Sequence, residues 1–191
     1  MAKKILILNG SPKKDGNTSI MADWFSTAVR SKGAEVEIVR TAFLKYKTLG
    51  CISCRKCQES DRYECCIDDD AKPVLTKMAE ADAIVFATLL YFFGASAQLK
   101  LIFDRMFSLY KWDNDAGTMQ TPLKGKTMVL LASAFEDIGL DALEKPFVLT
   151  AEYTDMKFES ILVANAGVSG EISKKRPDSK EKIEKLAMKI C

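Results

Sequence analysis

Lys3–Ser19 reads KKILILNGSPKKDGNTS, and the two halves of this stretch decide the fold between them. The first half, Lys3–Asn9, is an apolar run closed by Gly10-Ser11-Pro12, too short for a helix. Such a run is expected to be a strand buried on both faces, as in a parallel sheet. Beyond the loop, Asn17–Lys32 places Ile20, Met21, Trp24, Phe25 and Val29 on one helical face. Asn17 or Thr18 is positioned to cap its start, and Gly33 stands just past its end. Glu35–Arg40 then sets Val36, Ile38 and Thr41 against polar neighbours, the pattern of an edge or half-buried strand. These forty residues spell one β-α-β unit, which joins parallel strands by a right-handed crossover.

Outward from this unit the rhythm recurs. Ala83–Thr88 reads as a strand, and Ser96–Tyr110 as a helix with Leu99, Ile102, Phe103, Met106 and Phe107 on one side. Thr127–Ala132 is a further strand, Asp141–Tyr153 a helix, Phe158–Ala164 a fifth strand and Lys180–Ile190 a closing amphipathic helix. Five strands alternating with helices predict a doubly wound, three-layer α/β sandwich. With 191 residues, a single domain spanning 1–191 is expected. Thr41–Pro73 breaks the pattern as a long polar insertion, rich in cysteine over about residues 45–70. A loop of that length within a compact domain usually carries function.

Composition narrows the chemistry. Net charge is +2, from 28 basic and 26 acidic side chains, which gives no reason to expect nucleic acid or an anionic membrane as partner. No apolar stretch approaches the roughly twenty residues of a membrane-spanning helix. Met1–Leu8 lacks a small-residue cleavage site, so a removed leader is not expected and the cytoplasm is the expected location. Histidine is absent, which removes histidine-based triads, histidine metal ligands and the usual base near neutral pH. Of six cysteines, five lie within Cys51–Cys66, and Cys191 is read as a tail thiol. In the cytoplasm such clustering points to metal or redox work rather than structural disulfides.

The loop Gly10–Ser19 precedes a helix N-terminus, where free backbone N–H groups and the positive dipole end favour an anion. Ser11, Thr18 and Ser19 add hydroxyls, Asn17 an amide, and Lys13 or Lys14 a cation, a set suited to a phosphate monoester. The plainer alternative is a capped βα turn with no ligand. The nucleoside-triphosphate loop pattern fails, since Gly16 is followed by Asn17 and the spacing from Gly10 is one residue too long. Gly125-Lys126-Thr127 fails too, because it precedes a strand. The dinucleotide glycine fingerprint is also missing. A mononucleotide held by its one phosphate fits best.

GSPKKDGNTS resembles the phosphate loop of the NADPH-dependent FMN reductase family of the flavodoxin-like superfamily. Glu80–Val85, Tyr91, Ser96–Lys100 and Phe103-Asp104-Arg105 resemble that family's strand-loop-helix element, whose loop lies against the flavin ring. Gly50–Cys57 with Cys65–Asp70 resembles the compact cysteine motif of its iron–sulfur flavoprotein branch. The likeness is strong over Lys3–Arg105. Two features depart from the family pattern: Leu89-Leu90 stand before Tyr91 where a proline is common, and Ser133–Asp137 replaces a glycine-rich third loop. The resemblance implies a five-stranded parallel sheet of order 2-1-3-4-5, with ligands outside the carboxyl ends of the strands. The cysteine insertion and the phosphate loop are then expected on one rim.

What the resemblance implies for ligands is FMN, with its phosphate on Ser11, Lys13, Asn17, Thr18 and Ser19. The ring is expected against Leu90, Tyr91, Phe92, Gly94 and Ser133, with Phe135 able to stack on it. Asp104-Arg105 is read as an ion pair on a helix surface, and Lys111–Asn114 as a segment that covers a neighbouring subunit's flavin. Cys51, Cys54 and Cys57 at two-residue spacings, with Cys65 more distant, suit the corners of a cuboidal cluster. The resemblance implies a four-iron four-sulfur cluster there, and the acidic run after Cys66 favours Cys65 over Cys66 as fourth ligand. Unmetallated thiols and a four-thiolate zinc site remain open.

The expected activity is electron transfer through FMN, from NAD(P)H or a ferredoxin to an acceptor the sequence does not name. No side chain is required as nucleophile or base, since the cofactor carries the chemistry. A homodimer or homotetramer is implied by the family. The alternatives are a non-catalytic electron carrier and a zinc-bearing interaction protein without flavin.

Overall fold

The computed structural model describes residues 2–113 and 116–191. Its central sheet holds five parallel strands: β1 (Lys4–Asn9), β2 (Glu35–Arg40), β3 (Ala83–Leu89), β6 (Thr127–Ser133) and β7 (Lys157–Val163). They are ordered β2-β1-β3-β6-β7, which is 2-1-3-4-5 when only these strands are counted, the expected arrangement. Register runs Leu89 beside Ser133 and Ser133 beside Val163, while Asn9 lies beside Ala87 and Arg40. The carboxyl ends of all five strands therefore form one continuous rim.

Alternation along each strand sorts the core into two layers. Ile5, Ile7, Val85, Val129 and Leu131 face α1 (Asn17–Arg30) and α6 (Asp178–Ile190), meeting Met21, Phe25, Ile183 and Ala187. Leu6, Leu8, Ile84, Phe86 and Leu130 face the other way, toward α2 (Ala71–Glu80), α3 (Ala97–Phe103) and α4 (Leu140–Tyr153). On that side Phe86, Phe103 and Phe147 stack with ring centroids 4.7–5.5 Å apart. As expected, β2 is a half-exposed edge strand. Among the described residues no helix is long and apolar enough to cross a membrane.

Three local readings are corrected. Neither Asn17 nor Thr18 caps α1: Gly16 holds the N-cap position and no side chain caps the helix. The helix expected over Ser96–Tyr110 is α3 followed by a 3₁₀ segment, Asp104–Leu109. Within it, three residues per turn bring Arg105 and Ser108 into one row, and both are buried. The stretch read as loop to Pro73 already turns into α2 at Ala71, with the proline in the first turn, where a missing N–H costs nothing. Two elements escaped the pattern altogether. They are a hairpin of β4 (Lys111–Asp113) with β5 (Thr118–Gln120), and the short helix α5 (Ile172–Lys175).

Candidate functional site

The loop from β1 into α1 is held from several sides. Gly10 donates to Ala87 O at 2.8 Å, and the Ser96 hydroxyl donates to Gly10 O at 2.8 Å. A Cβ on Gly10 would stand 2.6 Å from Ser96 Oγ, so only glycine lets α3 approach this closely. Ser11 N donates to Asn9 Oδ1, and Ser11 Oγ both accepts from Lys13 N and donates to Lys13 O. Arg40 reaches across from the end of β2 to donate to Lys13 O, Lys14 O and Ser19 Oγ at 2.8–3.2 Å. Sequence reasoning missed Arg40; its signal is a basic residue at the carboxyl end of the strand beside β1.

The five expected phosphate contacts separate into two groups. Ser11, Lys13 and Thr18 line a cleft at the rim with Pro12, Gly16 and Asn17. Thr18 is buried and its hydroxyl has no hydrogen-bond partner among the described residues. Ser19 lies outside the cleft lining, and its hydroxyl already serves Asn9, Arg40 and Lys13 O, which leaves it no capacity for a ligand. The Asn17 side chain is likewise committed. Its amide nitrogen donates to the carbonyls of Ala166, Gly167 and Val168 at 3.1–3.2 Å, and its oxygen accepts from Ile172 N. What Asn17 offers a ligand is its backbone N–H at the uncapped helix end.

Three further loops complete the cleft. Leu89, Leu90 and Tyr91 follow β3, Ser133, Ala134 and Phe135 follow β6, and Gly167 and Ser169 follow β7. Leu90 N donates to Ser133 O and Ala166 N to Ala134 O, both at 2.9 Å, tying the loops together. The loop after β7 is a site element that the sequence reading passed over; the glycines of Gly167-Val168-Ser169-Gly170 were its signal. Phe92 and Gly94 do not line the cleft. Tyr91 and Gly94 exchange both backbone bonds, at 3.0 and 3.1 Å, around a two-residue turn. Phe92 and Phe93 occupy its left-handed positions, with φ of 44° and 65°. Phe92 is fully exposed at the tip, while Phe93 lies over Gly139.

The cysteines gather elsewhere. Cys51, Cys54, Cys57, Cys65 and Cys66 line one cleft with Ile67, Arg105 and Phe107. No residue lines both this cleft and the first. The root of the insertion does start at the rim, where Thr41 Oγ1 donates to Asn9 O. Cys57 and Cys65 are buried; Cys51, Cys54 and Cys66 are exposed. The N–H of Lys56 and a hydrogen bond with Cys66 hold the Cys54 thiol below the ordinary value. Partial loss of water around its sulfur, then the hydrogen bond with Cys54 and the neighbouring sulfurs, push the Cys66 thiol up to about 11. Gln58 anchors the loop, donating to Tyr110 O at 2.9 Å and Phe107 O at 3.3 Å.

Arg105 does not form the surface pair with Asp104 that the sequence suggested. Asp104 meets Lys100 on the helix exterior, whereas Arg105 is buried and meets a buried Asp69. Arg105 Nη1 lies 2.9 and 2.8 Å from the two Asp69 oxygens, Nη2 donates to Ile67 O, and Nε has no partner. Of the three consecutive aspartates, sequence alone could not say which turns inward. In the Lys111–Asn114 segment, Trp112 is exposed in β4 and Asn114 lies outside the described residues.

An uncapped helix end with a partnerless hydroxyl facing the cleft fits a phosphate monoester. Among the described residues, no three cysteine or acidic side chains converge as ligands for a single metal ion. The five sulfurs instead ring one cleft beside a buried cation. Such sulfur donors are of the kind that either an iron–sulfur cluster or a four-thiolate zinc site would take.

Comparison with known proteins gives the following. Residues 3–157 match the family model described as NADPH-dependent FMN reductase. An iron-sulfur flavoprotein of Methanocaldococcus jannaschii is 37% identical over 102 residues, covering 53% of this chain and 51% of that protein. One from Methanosarcina thermophila is 33% identical over 103 residues, with 53% and 51% covered. The chain thus spans about half the length of the curated relatives it matches. Among solved structures, an NAD(P)H:quinone oxidoreductase from Methanothermobacter marburgensis superposes with TM-score 0.73 at 15% identity, covering 98% of each chain. An FMN-dependent NADH-azoreductase from Bacillus anthracis does so with TM-score 0.71 at 13% identity, covering 98% and 99%. At these identities the likeness is one of fold.

Proposed function

The chain belongs to the NADPH-dependent FMN reductase family, and on that premise we propose that it is an FMN-dependent oxidoreductase passing electrons from NAD(P)H or a ferredoxin to an acceptor. The observation that carries this reading is the uncapped start of α1, where the partnerless Thr18 hydroxyl opens into a cleft walled by the loops after β3, β6 and β7. FMN supplies hydride and one-electron chemistry when bound. The chain's own part is to bind and orient it. The Thr18 hydroxyl, the backbone N–H groups of Asn17 and Thr18, and the Lys13 ammonium hold the phosphate, while Ser11, whose own O–H is given to Lys13 O, shapes the loop around it. Leu90, Tyr91, Ser133 and Phe135 wall the ring. Asn17 fixes the loop of Gly167 and Ser169 against the helix start.

The reading includes a four-iron four-sulfur cluster on Cys51, Cys54, Cys57 and Cys65, supported by the shared cysteine cleft and by relatives described as iron-sulfur flavoproteins. When bound, such a cluster supplies single-electron transfer. It also includes a homodimer or homotetramer working in a reducing compartment such as the cytoplasm.

The test is anaerobic purification with FMN, iron and sulfide quantified per chain, followed by stopped-flow mixing with NADPH, NADH and reduced ferredoxin. One FMN, four irons and four sulfides per chain, with flavin bleaching by one of these donors, is the expected result. Protein that takes up no FMN overturns the reading as a whole. Protein that binds FMN with negligible iron removes the cluster alone. Protein that binds FMN yet shows no turnover with any donor and acceptor is a carrier.

A further inference from the structure

Cys66 has no place in a four-cysteine ligand set made of Cys51, Cys54, Cys57 and Cys65, yet its sulfur lies 3.6 Å from that of Cys54. Both side chains are exposed. We propose that Cys54 and Cys66 form a reversible disulfide when the protein carries no cluster. The pairing is across the loop, twelve residues apart in sequence, so it is a tertiary contact rather than a consequence of neighbouring positions.

Closing the bond requires the sulfurs to approach to about 2.05 Å, a movement of roughly 1.5 Å. The backbone permits it. Cys51–Arg55 lies outside any helix or strand and is exposed throughout. Among the described residues, Cys51–Cys54 make no backbone–backbone hydrogen bond beyond the loop's own ends. Ser53 and Arg55, on either side of Cys54, both take left-handed φ angles of 54° and 57°. Cys57 and Cys65, in contrast, are buried and held, the first by Gln58 and the second beside Arg105.

The oxidant is a low-molecular-weight disulfide such as oxidised glutathione. One thiolate of the pair attacks it, forming a mixed disulfide and releasing one reduced thiol. The second protein thiolate then attacks the protein sulfur of that bond and expels the other reduced thiol. The protein loses two electrons and two protons, and the small disulfide becomes two thiols. With Cys54 so bonded, it cannot serve as a cluster ligand, so the two states exclude each other. That last consequence rests on the cluster reading above; the disulfide itself does not.

The experiment uses the full chain, cluster-free and fully reduced, treated anaerobically with oxidised glutathione. Free thiols are then blocked with iodoacetamide, and the protein is weighed intact and after trypsin. The expected result is loss of two alkylatable thiols of the six present, no retained glutathione, and a link between peptides 48–55 and 63–77 that dithiothreitol reverses. Cys66→Ser removes the link and leaves glutathione on Cys54, whereas Cys51→Ser and Cys65→Ser keep it. Circular dichroism and FMN binding verify that each variant is folded. A link that survives Cys66→Ser, or wild-type protein that keeps all its thiols under oxidation, overturns the proposal. Iron uptake by reduced wild-type protein is measured in parallel: if the link forms but no iron is taken up, the cluster reading fails and the disulfide stands.

Discussion

Thr18 and Asp69 show how single residues divide the labour. Thr18 is a buried residue whose hydroxyl has no protein partner and opens to the cleft, so it is free to donate to a ligand there. Thr18→Ala is expected to weaken FMN binding by about 1.5–3 kcal/mol, the worth of a hydrogen bond to a charged group, or roughly tenfold to a hundredfold. Fluorescence titration with FMN and with riboflavin, which lacks the phosphate, checks this: an equal loss for both ligands would remove Thr18 from the phosphate. Asp69 has no ligand to wait for, since Arg105 already fills its side of the pair. Burial alone raises its carboxyl, but hydrogen bonds from Arg105 and from the N–H groups of Lys47 and Ala71, with the Arg105 charge, outweigh it and leave the pKa below the ordinary 3.8. The sign follows: this stabilisation is complete above the unfolded value and disappears as pH falls through the lower folded one. Asp69→Asn is expected to cost about 3–5 kcal/mol near neutral pH, because it strands a buried guanidinium. The loss should shrink in acid, which urea melts between pH 7 and pH 3 would reveal.

At the scale of elements, the loops after β3 and β7 carry opposite kinds of tension. The turn Tyr91–Gly94 places two phenylalanines where both φ angles are positive, positions that asparagine or glycine fills with less strain. Phe92 is solvent-exposed and outside the cleft lining, so packing does not offset that strain. Phe92→Asn is expected to stabilise the protein by about 1 kcal/mol, a rise in Tm of roughly 2–4 °C for a chain of this size, with FMN affinity unchanged. An unmoved Tm would show that the turn is not strained. The loop after β7, in contrast, hangs on the Asn17 side chain, which bridges α1 to three carbonyls and one N–H. Asn17→Ala leaves those groups to water and is expected to cost about 1–3 kcal/mol. It should also loosen FMN binding through Gly167 and Ser169, a joint loss measurable by calorimetric titration and thermal melts.

At the scale of the whole molecule, the parallel register brings four loops to one rim, so a ligand there touches segments distant in sequence. A ligand that binds only the folded chain stabilises it by mass action, about 2.7 kcal/mol at a hundred times its Kd. FMN at that excess is expected to raise Tm by several degrees, and riboflavin by less; equal shifts would detach the phosphate from binding. The strands, their parallel order and the phosphate loop were legible in the sequence, because apolar runs too short for helices and a polar turn before a helix are local patterns with local causes. The division of labour within that loop was not. Asn17, Thr18 and Ser19 look alike as polar residues, and only the return of the β7 loop and of Arg40 decides which side chains are already engaged. The cysteine spacing likewise announced one site, but the inward turn of Asp69 to Arg105 and the meeting of Cys54 with Cys66 are contacts between segments many residues apart. What the sequence determined by itself was therefore the layout of elements, set by short-range periodicity; what only the tertiary structure decided was which polar groups remain unpartnered, since a hydrogen bond is assigned only when distant chain segments are brought together.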